Sequence, residues 1–201
     1  MDRDGLLSSL ANRISDERVL AAVAAVPREL FVSPALAAAA YNDAPLRIGH
    51  GQTISQPTLV ARMCELLELD PGHRVLDVGT GSGYHAAVLS RLCSHVWGIE
   101  RNAQLALRAA RALLRAGIDN VTVVTGDGAA GLPEHAPFDA INVAATAREQ
   151  VLPGLERQLA VGGRLVAPVA GEDGERLVLV RRLADGCERR PLEAVRFVPL
   201  L

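Results

Sequence analysis

Lysine is missing from this chain, because all 21 basic residues among its 201 are arginine. The absence excludes sites that need a lysine amine: a Schiff base, a pyridoxal-phosphate anchor, a Walker A phosphate loop and a lysine general base. The arginines are nearly balanced by 23 acidic residues, which leaves a net charge of −2. We therefore do not expect broad electrostatic capture of nucleic acid.

Cysteine and histidine are too few and too scattered to predict disulfide bonds or a metal site. The three cysteines, Cys64, Cys93 and Cys187, form no C-x-x-C pair, so no disulfide framework is predicted. The five histidines show no H-E-x-x-H or other ligand spacing, so we predict no metal site.

Long apolar runs are missing as well, since none approaches 18 residues. The first four residues, MDRD, are acidic and mixed, whereas a signal peptide would begin with a basic segment followed by an apolar one. We therefore expect a reduced, cytoplasmic protein that has no membrane partner.

The length and composition suit a single domain over residues 1–201, with 49% apolar and 22% charged residues. Residues 1–72 are predicted to form a helical N-terminal extension. Its helices are expected over residues 16–26, capped by Ser15, over residues 34–41, and from Pro57 onward. Residues 42–55 show no sustained period and predict a loop, which belongs to an active-site loop over residues 42–57.

Residues 73–201 alternate between strand and helix patterns, which predicts a mostly parallel sheet and an α/β, Rossmann-like core. Predicted strands cover residues 74–78, 96–100, 121–125, 138–143 and 163–169, with helices over 84–92, 103–116 and 149–159. The last two strands, 176–183 and 192–198, are separated by a D-G turn signal without a helix. They predict an antiparallel C-terminal edge.

The strongest local signal is the sequence VLDVGTGSG at residues 75–83, which ends a strand and opens a helix. Glycines let the backbone approach a ligand closely, and the N–H groups of a helix N-terminus favour an anionic group. The third glycine comes one position earlier than in the dinucleotide fingerprint, which favours S-adenosylmethionine over NAD. The cofactor-binding residues predicted in this sequence are Asp77, Gly79, Thr80, Gly81 and Gly83.

Two more strand ends supply acidic groups. Glu100 closes the next strand, 21 residues after Gly79, where a carboxylate can accept hydrogen bonds from ribose hydroxyls. Asp127 and Gly128 follow the third strand, where the carboxylate could accept from an adenine amino group. Because parallel strands end at one edge of a sheet, we expect these groups to line one crevice.

Taken together, these sequences resemble the protein-L-isoaspartate O-methyltransferase family. The resemblance is carried by VPRE at residues 26–29, IGHGQTISQP at 48–57, residues 75–83, GDG at 126–128, APFDAI at 136–141 and VRFVPL at 195–200. It implies a class I methyltransferase fold, S-adenosylmethionine as methyl donor and S-adenosylhomocysteine as product. It also implies isoaspartyl-containing peptides and proteins as substrates, whose methylated α-carboxylate enters repair through a succinimide.

The resemblance implies a role for Ser55 at the active site, and we predict it as the catalytic residue. An α-carboxylate is already ionised at neutral pH and needs no general base, so the hydroxyls of Thr53 and Ser55 could hold one oxygen while the other attacks. In the alternative interpretation, Ser55 only caps the helix that Pro57 opens. The predicted substrate-binding residues are Thr53, Ile54, Ser55, Val195 and Arg196, the last two on an edge strand with free backbone groups.

Other interpretations stay open at this point. A related enzyme could methylate a normal aspartate of one dedicated peptide to form an aspartimide, and a non-catalytic S-adenosylmethionine-binding module or an NAD-binding oxidoreductase belongs to a different class. The chain departs from the family at Asn142, where an apolar residue is usual, and near Ala147, where a proline is usual. We expect a monomer and a solvated basic face formed by Arg101, Arg108, Arg111 and Arg115.

Overall fold

The computed structural model describes residues 1–200, which form a seven-stranded sheet, a separate two-stranded hairpin and six α-helices. The helices are α1 (Arg3–Ala11), α2 (Glu17–Ala25), α3 (Pro57–Leu67), α4 (Tyr84–Leu89), α5 (Ala103–Arg115) and α6 (Leu152–Glu156). The hairpin consists of β1 (Leu46–Gly49) and β2 (Gln52–Ile54). The sheet contains β3 (Arg74–Val78), β4 (His95–Glu100), β5 (Val121–Thr125), β6 (Phe138–Val143), β7 (Leu159–Gly171), β8 (Gly174–Leu183) and β9 (Gly186–Ala194).

The order of strands confirms the predicted fold class. It runs β5-β4-β3-β6-β7-β8-β9, parallel from β5 to β7 and antiparallel from β7 to β9. The chain winds outward in both directions from β3, so the carboxyl ends of β3 and its neighbours flank a switch point. Open α/β sheets bind ligands at such a crevice.

Apolar packing covers the sheet on both faces. Along β3, Val75 belongs to one buried cluster and Leu76 to the other, and Ala140 and Ile141 of β6 divide in the same way. Successive side chains of a strand point to opposite faces, so this alternation means that neither face is left to solvent. The continuous apolar strands of the sequence are therefore those of a sheet buried on both sides.

Several predicted helix boundaries in the N-terminal extension are wrong. Asp16, and not Ser15, caps α2 by accepting from the Arg18 N–H at 2.8 Å, while Ser15 donates to the Glu65 carboxylate instead. The predicted helix over residues 34–41 is a 3₁₀ helix, Pro34–Ala39. Helix α1 was not predicted, and it is anchored by its buried leucines, Leu6 and Leu10.

The predicted loop over residues 42–55 contains the β1–β2 hairpin. Leu46 pairs with Ile54 and Arg47 with Thr53, and the turn has three consecutive residues with positive φ: Gly49, His50 and Gly51. Two of these are glycines, for which the left-handed region carries no steric cost. The glycines that indicated a loop in the sequence thus form a tight turn.

The C-terminal edge is antiparallel as predicted, but its last strand begins and ends earlier than the predicted 192–198. β9 starts at Gly186, the glycine of the D-G turn, and ends at Ala194. Residues 195–198 are not a strand, because Thr146 takes over the backbone groups that follow: its N–H donates to the Val198 carbonyl and its carbonyl accepts from the Leu200 N–H, both at 2.8 Å. Val195 and Arg196 therefore lie on an extended tail beside the sheet, and the prediction of free backbone groups is wrong for the Val195 N–H, which donates to the Glu175 carbonyl at 3.0 Å.

Two further boundaries differ around β7. The predicted helix over residues 149–159 is a 3₁₀ turn, Glu149–Val151, followed by the single turn of α6, and β7 begins at Leu159 instead of residue 163. In the described part of the chain, 1–200, the helices are all too short or too polar to cross a membrane.

Candidate functional site

The glycine loop between β3 and α4 is shaped by backbone conformation. Gly79, Gly81 and Gly83 have φ angles of +80°, +55° and +88°, a conformation that residues other than glycine rarely adopt. The N–H groups of Gly79 and Thr80 donate to the Ile99 carbonyl on β4, at 2.9 and 3.2 Å. The loop is therefore fixed to the neighbouring strand and presents its backbone at the edge of the sheet.

Glu100 connects the same loop to the end of β4. One carboxylate oxygen accepts from the Gly81 N–H at 3.0 Å and the other from the Asn102 N–H at 2.8 Å. Each oxygen has a second lone pair, so both can accept a further hydrogen bond from a ligand hydroxyl. The side chain is buried, which makes such a bond worth more than one in water.

These groups surround a cavity at the switch point. It has a volume of about 50 Å³. Its walls come from four strand ends, the hairpin and the tail: Gln52, Thr53, Gly79, Gly81, Ile99, Glu100, Arg101, Gly128, Ala144, Ala145, Val198, Pro199 and Leu200. Pockets for small organic ligands usually enclose roughly 300–1,000 Å³, so the enclosed part of this cavity is small for a nucleoside.

Gly128 shows why this wall needs glycine. A Cβ placed on it would lie 2.7 Å from a Val78 methyl and 3.5 Å from a Leu200 methyl. The neighbouring Asp127 is exposed and accepts from the Ala129 N–H at 2.9 Å, so it caps the short 3₁₀ helix that begins at Gly128. Asp127 thus stands at the predicted edge of the sheet but does not line the cavity.

Asp77 lies beneath the glycine loop and not in the cavity wall. Its side chain is fully buried, with one oxygen accepting from Thr80 Oγ1 at 3.0 Å and the other from Asn142 Nδ2 at 2.7 Å. Burial raises the pKa of Asp77 to about 6, and these two hydrogen bonds oppose the shift. Asp77 and Thr80 therefore hold the turn from below. Gly83 has a separate role, because its missing side chain allows the close approach of Ala109 on α5.

The other predicted group of residues lies across the hairpin. A groove of about 730 Å³ runs between the active-site loop and the C-terminal tail, lined by Thr53 and Gln56 on one side and by Val195 and Arg196 on the other. Ser55 and Arg196 share a smaller cavity, about 40 Å³, that adjoins this groove. Of the predicted substrate residues only Ile54 is buried.

Thr53 is the one predicted residue that lines both the groove and the switch-point cavity. It lies on β2, whose partner strand β1 packs against the glycine loop: a Cβ on Gly81 would come within 3.3 Å of Ile48 Cδ1. The hairpin therefore forms a thin wall between a space suited to an extended chain and a space at the sheet's ligand edge.

Ser55 does not cap α3, so the alternative in which capping is its only role is wrong. The N-cap residue is Gln56, which makes no side-chain cap, and the Thr58 N–H donates instead to Asp43 Oδ1 at 2.9 Å. The other oxygen of Asp43 accepts from the Thr58 hydroxyl at 2.7 Å. The Ser55 hydroxyl is thus not needed to begin this helix.

Sequence reasoning missed Arg28, which is fully buried behind Ser55. Its Nε donates to the Ala40 carbonyl and its Nη2 to the Ser55 carbonyl, both at 2.8 Å, and the guanidinium lies 4.6 Å from the centre of the Tyr84 ring. Burial lowers the pKa of Arg28. Its sequence signal was the VPRE motif, which carried the resemblance but gave no sign that the arginine is buried.

The four arginines of the predicted solvated face are exposed, as expected. Two of them also reach the N-terminal extension: Arg108 donates to the Ile48 carbonyl at 3.3 Å and contacts His50 Nε2 at 2.8 Å, and Arg115 donates to the Leu30 carbonyl at 3.1 Å. Among residues 1–200, no cluster of three histidine, cysteine or acidic side chains could hold a metal ion.

Comparison with known proteins gives consistent matches over the full chain. Residues 2–201 match the family model for protein-L-isoaspartate(D-aspartate) O-methyltransferase. A protein-L-isoaspartate O-methyltransferase of Halorhodospira halophila is 52% identical over 203 residues, covering 99% of this chain and 91% of the relative. One of Anaeromyxobacter dehalogenans is 55% identical, covering 93% of this chain and 90% of the relative.

Solved structures agree. A protein-L-isoaspartate O-methyltransferase superposes with a TM-score of 0.89 at 32% identity, covering 98% of this chain, which spans 65% of the length of that chain. A putative protein-L-isoaspartate O-methyltransferase from Plasmodium falciparum, in complex with S-adenosyl-L-homocysteine, gives a TM-score of 0.84 at 27% identity. That match covers 100% of this chain and 99% of the other.

Proposed function

The chain belongs to the protein-L-isoaspartate(D-aspartate) O-methyltransferase family, and on that premise we propose that it methylates the α-carboxylate of L-isoaspartyl residues in damaged proteins and peptides. The observation that carries the proposal is the position of Thr53 between the switch-point cavity and the groove along the tail. The alternative, an enzyme that modifies a normal aspartate of a dedicated peptide, has no support from the relatives of Halorhodospira halophila and Anaeromyxobacter dehalogenans, both of which are named protein-L-isoaspartate O-methyltransferase.

We propose S-adenosylmethionine as the cofactor, with S-adenosylhomocysteine as its product. The residues fit such a group, because Gly79, Gly81 and Gly128 leave backbone rather than side chain in the wall, and buried Glu100 keeps free lone pairs for ribose hydroxyls. We assign Asp77, Thr80 and Gly83 to shaping this loop. When bound, the cofactor supplies an electrophilic methyl group on a sulfonium centre.

Asp127 belongs to the same proposed cofactor site, although it is exposed in this structure. Among residues 1–200, only the Ala129 N–H donates to this carboxylate, and it engages one oxygen, so the other can accept from an amino group. The proposed site needs no metal, because neither the donor nor the ionised acceptor carboxylate requires a Lewis acid.

For the acceptor, we propose that Thr53 and Ser55 orient the carboxylate. Their hydroxyls donate to one oxygen, which leaves the other free to attack, and good orientation alone can contribute roughly 7–11 kcal/mol. Neutral donors suit this reaction, because an anion and a cation combine to give neutral products and a nearby cation would stabilise the ground state more than the transition state. Arg28 is consistent with neutral donors to the acceptor, because its guanidinium donates to the Ser55 backbone carbonyl and not to the Ser55 hydroxyl.

We propose that the groove holds the peptide backbone around the damaged residue. An isoaspartyl link adds one methylene to the main chain and turns the α-carboxylate into a short branch, which would reach past Thr53 while the flanking peptide groups lie against Val195 and Arg196. Recognition through backbone groups would make the enzyme tolerant of neighbouring side chains. Ile54, the buried last residue of β2, would support this wall and make little direct contact.

Repair follows without further catalysis. Methanol is a better leaving group than water, so the next backbone nitrogen attacks the ester carbonyl, methanol leaves and a succinimide forms. Hydrolysis of the succinimide returns part of the residue to normal aspartate. We propose that a monomer carries out this methylation in the cytoplasm, where the three free cysteines would stay reduced.

The test uses labelled S-adenosylmethionine and peptide pairs that differ only in L-isoaspartate against L-aspartate. A normal aspartate carboxylate hangs from an unextended chain and misses the attacking position, and an error of about 1 Å can cost on the order of 10²-fold in rate. We expect kcat/KM to differ by at least that factor, with little dependence on flanking side chains. Equal methylation of both peptides, or preference for one aspartate-containing sequence, would overturn the proposal.

A further inference from the structure

A buried polar network lies under the glycine loop, around Asn142. Asn142 Nδ2 is 2.7 Å from Asp77 Oδ1 and 3.1 Å from His85 Nδ1. Two atoms of the network, His85 Nε2 and Asn142 Oδ1, are buried without a hydrogen-bond partner among the described residues. A buried polar atom left without a partner costs about 1–3 kcal/mol, so an unmet group of this kind points to a ligand.

The network fixes which nitrogen of His85 carries the proton. An ionised Asp77 requires the amide nitrogen of Asn142, and not its oxygen, to face it, so the second amide hydrogen is directed to His85 Nδ1. Burial lowers the pKa of His85 to about 3, so the ring is neutral at physiological pH. Nδ1 is thus the acceptor, and the single ring proton lies on Nε2.

His85 also lines a small cavity that it shares with Thr53 and Ser55. The cavity has a volume of about 20 Å³ and lies beneath the hairpin, with Gly81 and Tyr84 in its wall. One water molecule needs roughly 10–15 Å³ of such volume, and it needs polar partners. An imidazole N–H and two hydroxyls are suitable partners, so the cavity has the size and chemistry of a site for a single water.

We propose that His85 is a positioning residue for Ser55, acting through one water molecule bound in this cavity. His85 Nε2–H donates to the water, and the water donates to the Ser55 hydroxyl oxygen. The hydrogen of Ser55 is then turned away from the cavity and toward the groove, where the acceptor carboxylate would lie. The inference rests on the proposed function for its catalytic consequence, but the tautomer and the water do not depend on it.

The first test examines the wild-type protein without any activity measurement. Nitrogen-15 spectra of histidine-labelled protein should show His85 protonated on Nε2 alone and not titrating between pH 5 and 8. A high-resolution crystal structure should show one water between His85 Nε2 and the Ser55 hydroxyl. A proton on Nδ1, or a cavity without ordered water, would overturn the proposal even if the protein methylates isoaspartyl peptides.

The second test uses His85→Phe, which keeps a ring of similar size and removes the donor. We expect kcat to fall about 2- to 10-fold, the equivalent of one net hydrogen bond, while KM and S-adenosylhomocysteine affinity stay unchanged. Asn142→Leu removes the donor to His85 Nδ1, so both neutral tautomers of His85 should be populated and the nitrogen-15 spectrum should show mixed signals. The matched control is Ser90→Ala, which removes a buried hydroxyl bonded to the Ala87 carbonyl near the other end of α4.

Ser90→Ala should lower the melting temperature and leave kcat unchanged, since Ser90 does not line the cavity. A His85→Phe protein with full kcat would reject the positioning role. If the wild-type protein fails to methylate isoaspartyl peptides, the proposed function falls, whereas the spectra and the crystal structure still decide whether the water site exists.

Discussion

The two sides of the hairpin are built by different means. On the cofactor side, the groups come from the ends of adjacent strands, and backbone N–H groups of the glycine loop bind the Ile99 carbonyl and the Glu100 carboxylate. On the substrate side, Ser55 is held by Arg28, 27 positions earlier in the chain, and faces a tail that begins at Val195. The cofactor side is thus formed by the ends of the sheet strands, and the substrate side by hydrogen bonds from side chains distant in sequence.

The difference predicts where single substitutions act. A parallel sheet brings its strand ends together whatever the side chains nearby, so the cofactor side should lose affinity when a ligand-facing group or a residue that shapes the glycine loop is changed. The substrate side should respond to residues that never contact the substrate, because Ser55 lies beyond the end of the β1–β2 hairpin and its carbonyl is bound by the distant Arg28 side chain.

Arg28→Met should give the largest effect, because it removes the Arg28 donors from the buried carbonyl of Ala40 and the partly buried carbonyl of Ser55. At about 1–3 kcal/mol for each, we expect the free energy of unfolding to fall by roughly 2–6 kcal/mol. Below the melting temperature, kcat should fall while S-adenosylhomocysteine affinity in calorimetry changes little. Arg28→Lys should recover part of both losses, and Arg111→Met, at an exposed arginine, is the control.

If Arg28→Met instead weakens cofactor binding as much as it lowers kcat, the two sides are not separable in the way the contacts indicate.

Glu100→Ala is the matching change on the cofactor side. It removes a proposed ribose acceptor and frees the N–H groups of Gly81 and Asn102, so we expect S-adenosylhomocysteine binding to weaken by roughly 1–3 kcal/mol. Asp127→Ala should weaken it less, because that carboxylate is exposed. Asp119→Ala, another exposed carboxylate, is the control for net charge. Wild-type affinity in the Glu100 and Asp127 variants would remove both residues from the site.

Asp43 and Ser55 should separate stability from activity within one loop. Asp43→Ala loses the cap on α3 and should lower the free energy of unfolding by about 0.5–2 kcal/mol. Ser55→Ala should leave the melting temperature near that of the wild type and lower the rate of methyl transfer. Thermal unfolding and initial rates on the same samples measure both. A Ser55→Ala protein that keeps full activity would argue against its proposed role.

The smallest expected effect concerns the pH dependence of stability. Burial raises the pKa of Asp77 from 3.8 to about 6, so the folded state binds this proton more tightly than the unfolded state. Lowering the pH from 7.5 to 5 should therefore stabilise the wild type by about 1 kcal/mol relative to Asp77→Asn. Urea unfolding at the two pH values measures the change. An equal difference at both values would show that Asp77 is not desolvated.

The cofactor side could be predicted because its signals are local. The spacing of Gly79, Gly81 and Gly83 and the acidic residue that closes the next strand all follow from one β-α-β unit, and the structure places Gly79 and Glu100 at a single cavity. The pattern did not distinguish residues that line the cavity from residues that hold the glycine loop in place beneath it. Asp77 appears in the sequence as a ligand group, yet both its oxygens are bound inside the protein.

The sequence by itself determined the fold class, the parallel core with its antiparallel edge, and four of the residues that line the switch-point cavity, Gly79, Gly81, Glu100 and Gly128, because period, turn chemistry and glycine spacing act over a few residues. Tertiary structure alone decided that Arg28 is buried behind Ser55, that Asp43 caps α3, and that the tail binds Thr146 instead of forming a strand. These contacts join segments far apart in the chain, and which donor meets which carbonyl is set only when the core brings them together.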